Sequence, residues 1–169
     1  SFLGVPGYAL YHAWEELHER PVDRQTALWV CRITATIIPM LVWLWFFQAF
    51  LGRYTRHPAL RDATFLAVAL GSLVYGYGLL FVSHSVAGAC AAAGLMCMSS
   101  ASRRPGRVRA LGAGLFSAGV TLFEYHGLLA SLALCGLCLL RWPRRALPWF
   151  GLGAALPTLA MMHFQWRAF

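Results

Sequence analysis

Apolar and polar positions divide the chain into long apolar runs, each closed by a short basic patch. The first run, 27–51, ends at Arg53-Tyr54-Thr55-Arg56 and Arg61. A second of about forty residues (63–102) ends at Arg103, Arg104, Arg107 and Arg109, and a third of about thirty (110–140) ends at Arg141, Arg144 and Arg145. As one helix, the second run would measure roughly 58 Å at 1.5 Å per residue, far beyond a ~30 Å bilayer core. Each double-length run must therefore turn back. The polar clusters near their midpoints, Val82-Ser83-His84-Ser85 and Phe123-Glu124-Tyr125-His126-Gly127, mark the turns.

The pattern predicts an all-α, polytopic transmembrane helical bundle of about six spans. Residues 27–51 run inward, 63–82 outward, 86–102 inward, 108–123 outward, 127–142 inward and 146–163 outward. The halves of the double runs are short, so their turns are expected below the outer surface, within protein, opening a cavity to the outside. Residues 1–26 form an outer juxtamembrane segment and acidic loop. Residues 1–14 read as a short interfacial helix with Tyr8, Tyr11 and Trp14 at headgroup level, and Glu15, Glu16, Glu19 and Asp23 follow outside. Small residues four apart (Ala87/Ala91, Gly88/Ala92, Gly114/Ala118) predict close helix packing.

Charge fixes the orientation. All fourteen basic residues are arginine, and ten of them lie in the three patches. Arginine collects in cytoplasmic loops, so the patches are inside and the intervening turns outside. Charged residues make up only 12% of the chain and hydrophobic residues 59%, with a mean hydropathy of +0.60. A water-soluble domain carries roughly 25% charged residues, which excludes that class here. The net charge of +8 suits an anionic inner leaflet. It does not suit nucleic acid, because the patches are brief and lack interleaved stacking aromatics. The chain opens on Ser1 without a signal sequence and closes within His163-Phe164-Gln165-Trp166-Arg167-Ala168-Phe169, as a piece of a longer membrane protein would. The lack of lysine points to a GC-rich bacterial source, and so to the bacterial inner membrane with the polar turns facing the periplasm or exterior. Cys135-Gly136-Leu137-Cys138 has CxxC spacing, but its leucine flanks read as helix packing rather than redox or metal chemistry.

Four polar groups reach the outer side in this topology: Ser83-His84-Ser85; Glu124-Tyr125-His126; His163 with Gln165 and Arg167; and Arg32, about one turn into the first span. Glu124 is the one acid within the spans or their turns. Ionisable groups there face a cavity or a partner, so Glu124 could position or deprotonate an acceptor, or bind a cation, tuned by His126 or Arg32. A solvated, idle turn carboxylate is the alternative. His84 reads equally as a hydrogen-bonded turn histidine, and Arg32 as a residue snorkelling to the interface rather than binding a substrate phosphate. His12, His18 and His57 read as surface residues. No GxSxG, HExxH or glycine-rich phosphate loop is present.

Several stretches resemble GT-C membrane glycosyltransferases of the protein O-mannosyltransferase-like (glycosyltransferase family 39-like) type. Ser1-Phe2-Leu3-Gly4-Val5-Pro6-Gly7-Tyr8-Ala9-Leu10 is similar to the juxtamembrane segment after their first outer loop. Ala27-Leu28-Trp29-Val30-Cys31-Arg32-Ile33-Thr34-Ala35 resembles the A-A-R-L-x-S-A opening of their second span. The stretch from Leu111 to Leu129 resembles the G-L-x-x-G-L-A-x-L-T-K-Y-P-A-L hairpin, and the closing residues the Y-N-x-x-x-F-G-S-P exit. The resemblance implies transfer of a sugar from a polyprenyl-phosphate donor to an acceptor at the outer face, with inversion. It places the catalytic base in a first outer loop ahead of Ser1, so no catalytic residue is expected in this window. Arg32, His84 and His126 would then face the lipid phosphate and Glu124 the acceptor, with Tyr125 and His163 completing the substrate-binding set. Two positions depart from the pattern: Glu124 stands where the T-K-Y motif is basic, and His84 where an acid often follows the third span. A lipid-linked sugar and membrane lipids are the implied partners. No cofactor is fixed, and a divalent cation is left open.

Two other classes remain. One is a non-enzymatic transporter or assembly subunit. The other is a haem or redox membrane protein with His84 and His126 or His163 as axial ligands.

Overall fold

The computed structural model describes residues 3–71, 76, 83–99 and 105–168, and every regular element among them is helical. The chain forms two compact units, Ser1–Val86 and Ala87–Phe169.

In the first unit, α1 (Gly4–Leu17) runs three residues past the end of the expected interfacial helix of residues 1–14 and carries Glu15 and Glu16 on helical backbone. It ends where Glu19 takes φ 54°, with Arg20 N–H donating to Glu15 O at 3.0 Å and Glu19 N–H to Glu16 O at 3.2 Å. Those two bonds satisfy carbonyls the helix end would otherwise orphan. Asp23 then caps α2 (Arg24–Arg32), accepting from Thr26 N–H at 2.8 Å and from its hydroxyl at 2.6 Å. The Asp23 N–H also donates to the Tyr11 hydroxyl at 3.3 Å, tying α2 to α1.

A π-helical turn, Ile33–Ile37, joins α2 to α3 (Ile38–Leu51) in one continuous helix of 28 residues. Pro39 explains the wide turn. It has no N–H, and in α geometry its ring would strike the carbonyl of Ala35, four residues back. The Ile38 N–H reaches Ile33 O instead, an i to i+5 bond. Gly4 and Gly7 of α1 lie against this segment: a Cβ on Gly7 would strike the Thr34 side chain, and one on Gly4 would sit 3.6 Å from Ala35 Cβ. Arg24–Leu51 is long and apolar enough to cross a membrane, and among the described residues it is the one helix that is.

The next expected span, 63–82, is not one helix. Pro58 starts α4 (Pro58–Ala69), which stops well short of residue 82. Gly71 N–H still bonds the Ala67 carbonyl oxygen at 3.0 Å, and a Cβ on Gly71 would sit only 2.8 Å from that oxygen, a crowding that glycine avoids. The turn expected at 82–85 is met only in part by the described residues. Val82 lies outside the described residues, and Ser83, His84 and Ser85 are helical within α5 (Ser83–Met98). Polar residues that punctuate an apolar run suit a helix's own terminal turns as well as a loop. The helix ends at Met98, and residues 100–102 of the expected span 86–102 lie outside the description.

In the second unit the expected boundaries are met closely by α6 (Arg107–Phe123) and α7 (Leu128–Arg141), while α8 (Leu147–Ala168) continues past the predicted end at 163. Residues 87–98 of α5 run antiparallel to α6, because Cys90 lies beside Gly119 and Cys97 beside Gly112. Sulfur stands 3.3 and 3.5 Å from where a glycine Cβ would be. Both pairs are seven residues apart, the repeat that keeps one seam facing its partner over two turns. Gly94 meets Ser117 between them. Of the small pairs read from sequence, Gly114 and Ala87 are buried in packing, whereas a Cβ on Gly88 would meet nothing within 4 Å.

The closest approach joins α6 to α8. A Cβ on Gly114 would strike the carbonyl of Phe150, and one on Gly153 would strike the carbonyl of Leu111. The Arg107 guanidinium lies 5.2 Å from the Trp149 ring centre, so the two helices share their N-terminal ends and run parallel. Around the crossing the partition of residues is inverted. Ala110, Ala113, Gly114, Ser117, Gly153 and Pro157 are inside, while Leu129, Leu132, Leu140, Leu152, Leu156 and Leu159 are outside. A leucine shell around a small-residue interior is how helices associate in lipid, where close backbone approach rather than hydrophobic collapse supplies the attraction.

Substitution tests the crossing directly. Gly153→Val forces a branched side chain into backbone and should cost at least about 1–3 kcal/mol. Gly151, two residues along the same helix, has open space around its Cβ position, so Gly151→Ala should be neutral or stabilising by up to about 1 kcal/mol. Thermal unfolding in detergent of both variants measures the contrast; equal effects would contradict the crossing.

Candidate functional site

Glu124 sits where α6 ends. Its backbone is extended (φ −154°, ψ 122°), its N–H still bonds Val120 O at 3.0 Å, and Gly127 N–H returns to its carbonyl at 3.0 Å. A single 3-10 turn, Tyr125–Gly127, then leads into α7. The turn predicted from sequence is therefore present. Gly127 makes it possible: a Cβ there would sit 2.6 Å from Val120 Cγ1 and 3.1 Å from Val120 O.

The Glu124 side chain is 18% exposed, and its Oε1 lies 3.9 Å from His126 Nδ1, an ion-pair separation rather than a hydrogen bond. His126 is 95% exposed, so water and salt screen the pair and the histidine adds little to holding the carboxylate. Tyr125 is also exposed. The turn thus presents a half-buried carboxylate beside two exposed polar side chains.

Beneath the turn a hydroxyl cluster fastens the hairpin. Ser131 Oγ donates to Ser117 O at 2.5 Å and lies 2.7 Å from Thr121 Oγ1. Ser117 Oγ is buried and has no hydrogen-bond partner among the described residues. The sequence reading missed this cluster. Its signal was three hydroxyl residues within otherwise apolar runs, a recurrent way to join helices in lipid.

His163 lies on α8, exposed, on backbone still helical to Ala168 rather than beyond the span's end. Since α6 and α8 are parallel and cross at Gly114 and Gly153, Glu124 and His163 each stand ten residues past the crossing (124 − 114 and 163 − 153). Each is roughly 15 Å along its axis, toward the same end of the unit.

Arg32 and His84 belong to the first unit. Arg32 is half-buried at the end of α2, immediately before the π turn, with its guanidinium 4.9 Å from the Trp29 ring centre. That stacking answers the snorkelling reading as well as the phosphate-binding one. His84 is exposed on α5. The six candidate residues therefore divide as Arg32 and His84 in one unit, and Glu124, Tyr125, His126 and His163 in the other. Among the described residues no three His, Cys, Asp or Glu side chains gather as metal ligands. A cation at Glu124 would take its remaining donors from substrate or water.

Between α1 and α2, the Asp23 carboxyl is held below its ordinary range, first by the Thr26 hydroxyl and then by the Thr26 N–H. No family model matches the chain, and no curated protein or solved structure matches it either.

Two outcomes follow. Ser131→Ala should loosen the hairpin by about 0.6–2 kcal/mol in detergent unfolding, and an unchanged midpoint would remove the cluster's role. Asp23 has a lowered folded-state pKa, so its capping stabilises α2 above the ordinary carboxylate range and fades as pH falls through the folded value. Asp23→Asn should flatten that acid dependence, measured as unfolding midpoint against pH.

Proposed function

We propose that this chain is a polytopic bundle of the bacterial inner membrane, of about six spans, that moves a sugar from a polyprenyl-phosphate donor to an acceptor at the outer face. The observation that carries the membrane part is the inverted partition of the second unit. On α7, Leu129 is 78% and Leu140 88% exposed, while Cys138 is 1% exposed. Water would penalise such a shell at about 25 cal/mol per Å² of apolar surface, and hydrocarbon would not. Arg24–Leu51 supplies one span of full length, and the shorter helices fit as hairpin halves whose ends are flanked by arginine.

The transferase part rests on the sequence resemblance and is supported by Glu124. A carboxylate mostly shielded at the end of a hairpin, with polar side chains over it, suits orienting an acceptor hydroxyl against an incoming sugar. Tyr125, His126 and His163 stand at or toward that end and would line the acceptor path. The resemblance assigns Arg32 and His84, both in the first unit, to a donor phosphate, a role suited to cationic or hydrogen-bonding groups. The base that removes the acceptor proton is assigned to a first outer loop, as the resemblance implies.

Membranes carrying the protein, supplied with radiolabelled polyprenyl-phosphate sugars, test the proposal. Transfer should be measurable, and Glu124→Gln should lower it about tenfold or more while the protein stays inserted. Transfer unaffected by the substitution would make Glu124 a structural turn residue. Substrate flux across the membrane without any transfer would replace the enzyme by a transporter.

A further inference from the structure

The last two turns of α3 present Trp45, Gln48, Ala49 and Gly52 at positions i, i+3, i+4 and i+7, one face of the helix. Together with Arg61 of α4 they line a cleft of about 300 Å³. The cleft is graded. Trp45 offers an exposed aromatic ring about 10 Å up the helix from Gly52, Gln48 and Ala49 follow, and the end beside Gly52 is basic. Asp62 takes the Nε edge of Arg61 at 3.1 Å, and the Nη groups lie beyond that bond. Arg53, Arg56 and His57 occupy the adjoining connection and add positive charge, with Asp62 the one acid there.

Given the membrane reading above, on which this rests, that end meets the inner leaflet. We propose that the cleft is a binding site for one anionic phospholipid, its phosphate on Arg61 and its chain along Ala49 and Trp45. Arginine presents a fork that matches phosphate oxygens. Gly52 leaves room for the headgroup at the helix end, and an apolar wall above a basic floor matches an amphiphile rather than a free ion. Diffuse attraction of basic loops to an anionic surface would not need a cleft.

The test is native mass spectrometry of the protein released from nanodiscs of phosphatidylcholine with a minority of phosphatidylglycerol. Wild type should retain one phosphatidylglycerol selectively. Arg61→Gln and Gly52→Leu should each reduce that retention about tenfold, whereas Arg56→Gln, outside the cleft, should leave the selectivity standing. Equal loss in Arg56→Gln would overturn the site in favour of diffuse surface charge. Displacement of the lipid by inorganic phosphate would overturn the lipid as ligand and leave a phosphate site. Insertion with no selective retention would overturn the cleft alone; failure to insert would overturn the membrane reading beneath it.

Discussion

The second unit depends on the contact between α6 and α8, where two glycines admit each other's backbone. Gly114 meets the Phe150 carbonyl and Gly153 meets the Leu111 carbonyl, so each helix supplies both a hole and the group that fills it. No side chain larger than hydrogen fits at either position. The approach brings the two backbones together and puts small residues at the contact, while most leucines of α7 and α8 lie outside. Burial of alanine, glycine and serine around the crossing, and exposure of leucine beyond it, follow from that constraint. Between α5 and α6 the contacts are looser: the Cys90 sulfur would crowd a Cβ on Gly119 at 3.3 Å, and the Cys97 sulfur would meet one on Gly112 at an ordinary 3.5 Å.

The proposed site inherits this geometry. Because α6 is held on one side by α5 and on another by α8, the turn at its end is carried by a fixed helix, and Glu124 stands at a defined height above the crossing. The hydroxyls of Ser131 and Thr121 fasten α7 to the same helix just beneath it. Glu124 is therefore positioned by packing and hydrogen bonds of the helices that carry it, while the neighbouring Tyr125 and His126 are exposed. A binding group needs that support.

Much of this was legible in the chain. Apolar runs interrupted by arginine gave α2 with α3, and α6, α7 and α8, to within a few residues, and the polar cluster at 123–127 marked a real turn. The cluster at 83–85 was misread because serine and histidine suit a helix's terminal turn as well as a loop, and periodicity does not separate the two. The end of α4 at Ala69 falls inside an unbroken apolar run and leaves no trace in hydropathy. The π turn was also hidden, although Pro39 within an apolar run was its signal. For the site, sequence located the Glu124 turn and the candidates around it. It could not weigh how deeply Glu124 is shielded or how fully His126 is exposed, since both depend on tertiary packing. Nor could it find the Ser117, Thr121 and Ser131 cluster, which joins residues up to fourteen apart.

The central claim is that these helices lie in a bilayer with the arginine patches inside and the Glu124 turn outside. Single-cysteine labelling with a membrane-impermeant maleimide reads this directly, on His126→Cys and Arg56→Cys in intact cells and after permeabilisation. Position 126 should label in intact cells, and position 56 only once the inner face is opened. Labelling of both from the same side, or recovery of the protein in the aqueous fraction, would contradict that claim.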